Sequence, residues 1–221
     1  MYSRLLWALA LSAMAAPLPA QSPASADALA RDLQKRYDTI RDFTADFVHT
    51  YQGGVLRQQA TERGRVMIKK PGKMRWQYVS PEAKLFVSDG RKLYSYIPQD
   101  KMVLVSTVPQ DDRASTPALF LTGQGNLTRD FDVTLDKLDE APAEAVTLRL
   151  APKRPEPEYA WLSLAVNPRT LTLLMLISVD AQGGRSAFTF TNLKENVRLS
   201  DSQFTFQIPR GVDVVTDAGT N

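Results

Sequence analysis

Apolar and polar residues alternate with a period of two through most of this chain, in short segments separated by Gly, Pro and Asp. The alternation is most regular between Gly64 and Pro98, where Met74, Trp76 and Tyr78 interleave with Lys73, Arg75 and Gln77. That spacing predicts a half-buried strand with one large apolar face and one basic, polar face. Pro71-Gly72 supplies a turn before it and Ser80-Pro81 ends it. Asp89-Gly90 predicts a tight hairpin between Leu85-Phe86-Val87 and Leu93-Tyr94-Ser95-Tyr96, because Gly accepts the positive φ that such turns need. Three or four sequential antiparallel strands are expected from this stretch alone.

The flanking segments extend the pattern. Ser25 or Asp27 can cap a helix in which Leu29, Leu33, Tyr37 and Ile40 recur at spacings of three and four, broken at Arg41-Asp42. Phe43, Ala45, Phe47, His49 and Tyr51 then share one face of a strand, Gly53-Gly54 turns, and Val55 to Thr61 returns as a more polar strand that Glu62 to Lys69 continues or follows. Met102 to Thr107 is a further strand. Thr116-Pro117-Ala118-Leu119-Phe120-Leu121-Thr122-Gly123 has the parts of a short helix, with Ser115 or Thr116 as cap, Pro117 in the first turn and Gly123 as stop. Strands resume at Phe131 to Leu135, Val146 to Leu150 and Tyr159 to Val166, the last two joined by the Pro-rich Pro152 to Pro157. Thr170 to Val179 is apolar at nearly every position, so both faces are expected to be covered. Ala187 to Leu193 and a last strand over Phe204, Phe206 and Ile208 precede a polar tail from Asp213. Roughly ten strands and two helices are expected. So many sequential strands form one antiparallel sheet that must curl, and the helices fit best on its concave side.

Composition adds an address and removes several chemistries. Arg4 followed by the apolar Leu5 to Ala16 and by Pro17-Leu18-Pro19-Ala20 reads as a secretory signal occupying residues 1–24, with cleavage after Ala20 favoured and Ala24 or Ala26 as alternatives. Residues 25–221 are then one exported domain, and no later apolar run has the roughly 20 residues needed to span a bilayer. There is no Cys in the 221 residues, hence no disulfide and no lipid-acceptor Cys. Lys and Arg outnumber Asp and Glu by 27 to 24, too mild an excess to point to nucleic acid. Basic residues do gather at Arg63, Arg65, Lys69, Lys70, Lys73 and Arg75, either as a solvated outer face or as a contact for acidic partners or anionic lipid.

Catalysis finds little support. His49 is the single His, which excludes His-based metal clusters, and no G-x-S-x-G elbow accompanies it. It falls on the apolar face with Phe43 and Phe47 and reads as a half-buried structural residue; a hydrolase of greasy substrates built on it is the enzyme alternative. The pairs Asp111-Asp112 and Asp139-Glu140 lie in polar loops, and no P-loop, EF-hand or dinucleotide fingerprint occurs. The chain is read as a non-enzyme without cofactor. Its surplus is in large apolar side chains on strands, which can build either a packed core or a cavity.

The string I-K-K-P-G-K-M-R-W-x-Y, followed by P-E-x-K-L-x-V-S-D-G-x-x-L-Y-x-Y-x-P, resembles the signature region of the periplasmic lipoprotein carrier family, LolA. The likeness extends from Phe43-x-x-x-Phe47 through T-P-x-x-x-L at Thr116 to Leu121 and on to F-x-F-x-x-P-x-G-V at Phe204 to Val212. It implies an unclosed, strongly curved antiparallel β-barrel with a helical lid over an apolar concave cavity. It also implies a periplasmic monomer that takes acylated lipoproteins from an inner-membrane ABC exporter to an outer-membrane acceptor. A lipid-binding sensor and a glycolipid or phospholipid carrier are the alternatives within the same fold. On this resemblance Leu33, Tyr37, Phe47, Trp76, Tyr78, Leu119, Phe120 and Leu121 are expected to face lipid, and Lys69, Lys73 and Arg75 to dock partners. Lys70 stands where the family has an Arg that bonds to lid backbone and holds the empty cavity shut, and Lys lacks the planar fork of Arg.

Overall fold

The structure, a computed structural model, describes residues 25–54, 58–109 and 116–216. The expected signal segment and Asp111-Asp112 therefore lie outside the described residues. Helix α1 (Ala26–Asp38) opens the chain, with the Ser25 hydroxyl accepting from the Ala28 N–H at 3.2 Å and Lys35 and Arg36 in the last turn, where the helix dipole favours cations. Six strands follow in a meander: β1 (Asp42–Gln52), β2 (Gln59–Lys69), β3 (Lys73–Ser80), β4 (Lys84–Asp89), β5 (Lys92–Ile97) and β6 (Met102–Thr107). After α2 (Pro117–Leu121) and α3 (Leu127–Asp130), a second meander runs through β7 (Phe131–Asp136), β8 (Val146–Pro152), β9 (Trp161–Val166), β10 (Leu173–Val179) and β11 (Arg185–Glu195). A 3₁₀ turn at Asp201–Phe204 and the strand β12 (Asp213–Thr216) complete it.

All twelve strands belong to one sheet of order β12-β6-β5-β4-β3-β2-β1-β11-β10-β9-β8-β7, antiparallel except for the β12–β6 pair. The two meanders meet where β1 pairs with β11, and β12 and β7 remain edges, so the sheet curls without closing. The chain must pass from β6, next to one edge, to β7 at the other. That crossing carries α2 and α3 over the concave side, where α1 also lies. Their buried side chains Leu29, Leu33, Phe120, Leu121 and Leu127 pack with Phe43, Phe47, Trp76, Leu164 and Phe190 of the inner wall in one core.

The hairpins form where turn residues were expected. Gly90 takes φ +97°, and the Asp89 carboxylate accepts from the Arg91 and Lys92 N–H groups, both at 2.8 Å. Strand β10 is covered on both faces by way of a register shift between Leu173 and Met175. Leu173 and Leu176 turn inward with the main core, while Met175 and Ile177 face outward beneath Leu138, Ala141 and Ala145 of the β7–β8 loop. A glycine is required at Gly64, because a Cβ there would lie 2.2 Å from the Gln77 carbonyl oxygen and 2.6 Å from Phe47 Cζ.

One expected strand does not form. Phe204, Phe206 and Ile208 do not extend the sheet; the segment from Leu199 to Phe206 crosses the outer face of β3 to β5 as a strap. Lys69 Nζ holds the Leu199 carbonyl at 2.8 Å and Asp201 at 2.6 Å, Lys73 Nζ holds Asp201 at 3.0 Å, and Arg75 reaches the Gln203 carbonyl at 3.4 Å. Phe204 is buried and Phe206 lies on Tyr94 and Tyr96, so the alternating aromatics serve a strap as well as they would a strand. The C-terminal strand is instead β12, placed in the segment read as a polar tail. Truncating Phe204 to Ala should cost about 3–5 kcal/mol, read as a lower urea midpoint with unchanged slope. A loss below about 1 kcal/mol would mean the strap does not belong to the cooperative fold.

Candidate functional site

Two apolar hollows lie between the inner wall and the helices. The smaller, about 40 Å³, is walled by α1 (Leu33, Tyr37), β1 (Phe43), β9 to β11 (Leu164, Leu173, Leu193) and the lid residues Phe120, Leu121 and Leu127. The larger, about 200 Å³, is walled by Met74, Trp76 and Tyr78 of β3, Phe86, Leu93, Leu176 and Phe188, with Pro117, Ala118 and Leu121 as its cover. Leu121 borders both and is 1% exposed. The concave space is therefore one apolar trough divided by a side chain of α2.

The sequence brings α2 to this place by ordinary local chemistry. The Thr116 hydroxyl caps its start by accepting from Leu119 N–H at 3.2 Å, Pro117 fits the first turn, and Gly123 leaves the helix at φ +90°. Its five residues are all apolar, so it holds its place by burial rather than by helix propensity.

Five contacts close it. The Tyr37 hydroxyl of α1 donates to the carbonyls of Phe120, at 3.1 Å, and Leu121, and its ring stacks on Phe120 at 5.9 Å. Gly72 N–H, in the β2–β3 turn, donates to the Thr122 carbonyl at 3.2 Å. The Lys70 stem packs where any side chain at Gly123 would sit. Burial pushes the Tyr37 phenol above its ordinary range, with Asp38 adding to the effect.

Lys70 does not bond to α2 backbone. Its ammonium donates to the Tyr37 carbonyl at the end of α1, at 2.6 Å, and lies 3.1 Å from the Tyr37 ring centre. Burial lowers its pKa to about 8, against the pull of Asp38 and Glu195. Its grip on the lid passes through Tyr37. Nearby, Arg36 pairs with Glu195 of β11, and the Leu127 N–H donates to Gln34 at 2.8 Å, so α1 is fastened to both the wall and α3.

Of the residues expected to face lipid, Leu33, Tyr37, Phe120 and Leu121 border the smaller hollow, and Trp76, Tyr78 and again Leu121 the larger. Phe47 and Leu119 border neither. Phe47 is buried beneath the collar formed with Trp76, Tyr78 and Phe188, at ring separations of 5.1, 4.9 and 5.9 Å. Lys69, Lys73 and Arg75 lie on the outer face and are engaged by the strap. Sequence reasoning missed the contribution of β9 to β11, namely Leu164, Leu173, Leu176 and Leu193; the unbroken apolar run in β10 signals burial but not which face meets the trough.

His49 is half-buried at the outer end of the collar, stacked on Phe188 at 4.2 Å. Nδ1 donates to Glu62 at 3.1 Å, and Nε2 lies 2.7 Å from Ser186 Oγ and accepts its proton. Burial lowers the His49 pKa against the opposing effect of Glu62, so the ring is neutral at pH 7. Burial alone would raise the Glu62 carboxyl, but Lys84, at 2.5 Å, and His49 hold it below its usual range. Ser186, His49 and Glu62 thus have the spacing of a nucleophilic relay. Ser186 is nevertheless the second residue of β11, paired with Tyr51 and Ser178, and the N–H groups of the adjoining turn, those of Gln182, Gly183 and Gly184, are already given to Asp180 rather than left to stabilise an oxyanion.

Residues 38–207 match the family model described as "Outer membrane lipoprotein carrier protein LolA". A relative in Chromohalobacter salexigens, called outer-membrane lipoprotein carrier protein, is 34% identical over 96% of this chain and 98% of its own length. A second of the same description, in Chromobacterium violaceum, is 31% identical over 94% and 96%. Among solved structures, an uncharacterized conserved protein from Thermus thermophilus superposes with a TM-score of 0.51 at 16% identity, covering 85% of this chain and 99% of that one, a likeness of fold. With the open twelve-stranded sheet, the apolar trough and relatives matched over nearly their whole length, the chain belongs to the LolA family of outer-membrane lipoprotein carrier proteins.

Proposed function

We propose that this protein is a periplasmic carrier that binds the acyl chains of lipoproteins released from the inner membrane and delivers them to the outer membrane. The observation that supports this most is the trough divided by Leu121. Of the hollows of about 40 and 200 Å³, only the larger is on the scale that takes up a small aromatic guest, and together they fall far short of two or three acyl chains. Cargo of that size enters only if α2 swings away and the two compartments merge.

The energies allow it. Each acyl chain that regains burial gains roughly 10 kcal/mol, at about 0.8 kcal/mol per CH₂. The closed lid is held by neutral hydrogen bonds worth about 1 kcal/mol each and by the burial of a few side chains. A site held shut this weakly is open to lipid but stays dry when empty. Chemistry is not part of the proposal: the Ser186–His49–Glu62 spacing has no free oxyanion site beside it among the described residues, and a carrier returns its cargo unaltered.

Transfer in both directions requires partners, read as an inner-membrane ABC exporter and an outer-membrane acceptor. The basic outer face of β2 and β3 suits an acidic docking surface. Lys69, Lys73 and Arg75 would have to release the strap to take part, whereas Arg63 and Arg65 on the same face are exposed.

Native mass spectrometry of protein taken from the periplasm without detergent should find an intact triacylated lipoprotein bound. Leu121→Glu, which puts a charge on the dividing wall, should abolish it while circular dichroism keeps the β spectrum. Free phospholipid as the only guest would replace the lipoprotein reading with phospholipid transport or sensing.

Lys70 provides a second check. With its folded pKa at about 8, the folded state binds fewer protons than the unfolded chain from about pH 8 up to the ordinary lysine range near 10.4. Stability then rises with pH across that window, and the contribution to the slope vanishes below it. Relative to Lys70→Met, the wild-type melting temperature should gain about 2 °C between pH 8 and 10, a modest shift because the site is partly screened by solvent. A parallel pH dependence of the two proteins would show that Lys70 is not buried as described.

A further inference from the structure

The inner wall changes character along β1. Phe43 borders the smaller hollow, Phe47 lies under the aromatic collar, His49 follows, and Tyr51 is 43% exposed. The pairing register sets Phe188 and Glu62 directly beside His49, with Ser186 one step outward on β11. Lys84 of β4, paired with Tyr78, completes the row through Glu62. A belt of polar groups from β11, β1, β2 and β4 thus rims the aromatic collar at the end of the trough away from α1.

The belt is satisfied internally but not saturated. Lys84 has two N–H groups beyond the one given to Glu62, while Glu62 and Ser186 keep unused lone pairs. Within the larger hollow's wall, the Trp76 indole N–H is buried and has no acceptor among the described residues. A buried donor without a partner is costly, and here it lines the space the ligand would fill.

Resting on the carrier reading, we propose that the belt and the Trp76 indole form a subsite for the polar linkage of an acylated ligand, the ester and amide carbonyls where its chains converge. The tails run past Leu121 toward α1. Lys84 and Trp76 donate to carbonyl oxygens, and Glu62 or Ser186 accepts from the amide N–H. This fixes the polarity of loading: the protein portion of the cargo emerges at the His49 end, and the ligand class is one whose chains are joined through carbonyls rather than any greasy chain.

The test compares a synthetic tripalmitoylated cysteinyl peptide, two of whose chains are ester-linked, with its analogue carrying ether links at those positions, of equal tail length but without those carbonyls. Purified wild-type protein should bind the ester form roughly tenfold more tightly, the effect of a charged hydrogen bond. Lys84→Met and Trp76→Phe should each shrink that preference, read as the ratio of the two affinities measured in the same variant. Equal binding of both forms by the wild type overturns the subsite, whatever the variants do. A preference that survives both substitutions overturns the assignment to these residues. Uptake of neither peptide by a folded wild type that takes up an apolar dye overturns the carrier reading instead.

Discussion

The ladder between β1 and β11, running from Phe43 opposite Glu195 to Gln52 opposite Arg185, joins two meanders that would otherwise be separate sheets. Because β1 is also paired along its whole length with β2, this ladder uses the last hydrogen-bonding edge at the centre and leaves β12 and β7 apart. An open curved sheet has an inner wall that must be covered. The chain has limited means of covering it: α1 before the first strand, and the crossing from β6 to β7. Lid and trough are consequences of the same pairing, since a barrel closed through β7 would leave no gap for the crossing to span.

The cover is sparse because of the chain order. Five residues of α2 and four of α3 share the task with a thirteen-residue α1. Most of the interior is ordinary packing, with Val66, Ile68, Leu148, Leu150 and Leu162 fully buried along the wall. The apolar voids occur where the wall meets the short helices, and a helix of one turn has little cooperative stability of its own. The sheet and its outer strap hold most of the buried contacts, and the carrier reading puts the rearrangement in the cover. The outer strap matters here, because it fastens β2 to β5 from behind without occupying the concave side.

Much of this is written locally in the sequence. The period-two pattern around Met74, Trp76 and Tyr78, the Asp89-Gly90 hairpin, and the Thr116, Pro117, Gly123 punctuation of α2 each rest on neighbouring residues, and each is found where expected. What escaped depends on distant partners. Phe204 and Phe206 alternate as in a strand, but whether they pair or lie across a sheet is decided by Tyr94, Tyr96 and three basic residues far earlier in the chain. Leu173 and Leu176 reach the trough through a register shift that no alternation announces. The Ser186–His49–Glu62–Lys84 row is invisible in the sequence for the same reason. His49 alone looks like a core histidine, and only the register of four strands reveals its neighbours.

The lysine at position 70 shows how a single ammonium fastens the cover. A guanidinium could span from the β2 end to lid carbonyls with several donors at once, whereas an ammonium is a point charge on a shorter reach. Here it settles on the Tyr37 carbonyl and on the ring of the same residue, while the Tyr37 hydroxyl donates to the lid carbonyls. Closure then runs by two routes, from β2 through Tyr37 of α1 to α2, and directly from the β2–β3 turn, where Gly72 N–H holds the Thr122 carbonyl and the Lys70 stem packs against Gly123. On the carrier reading proposed above, Phe120, stacked on that ring, leaves with the lid, so loss of the Tyr37 contact both frees lid backbone and uncovers an aromatic face to incoming hydrocarbon. Coupling release to exposure in a single residue means that lipid itself can replace the contact that kept it out.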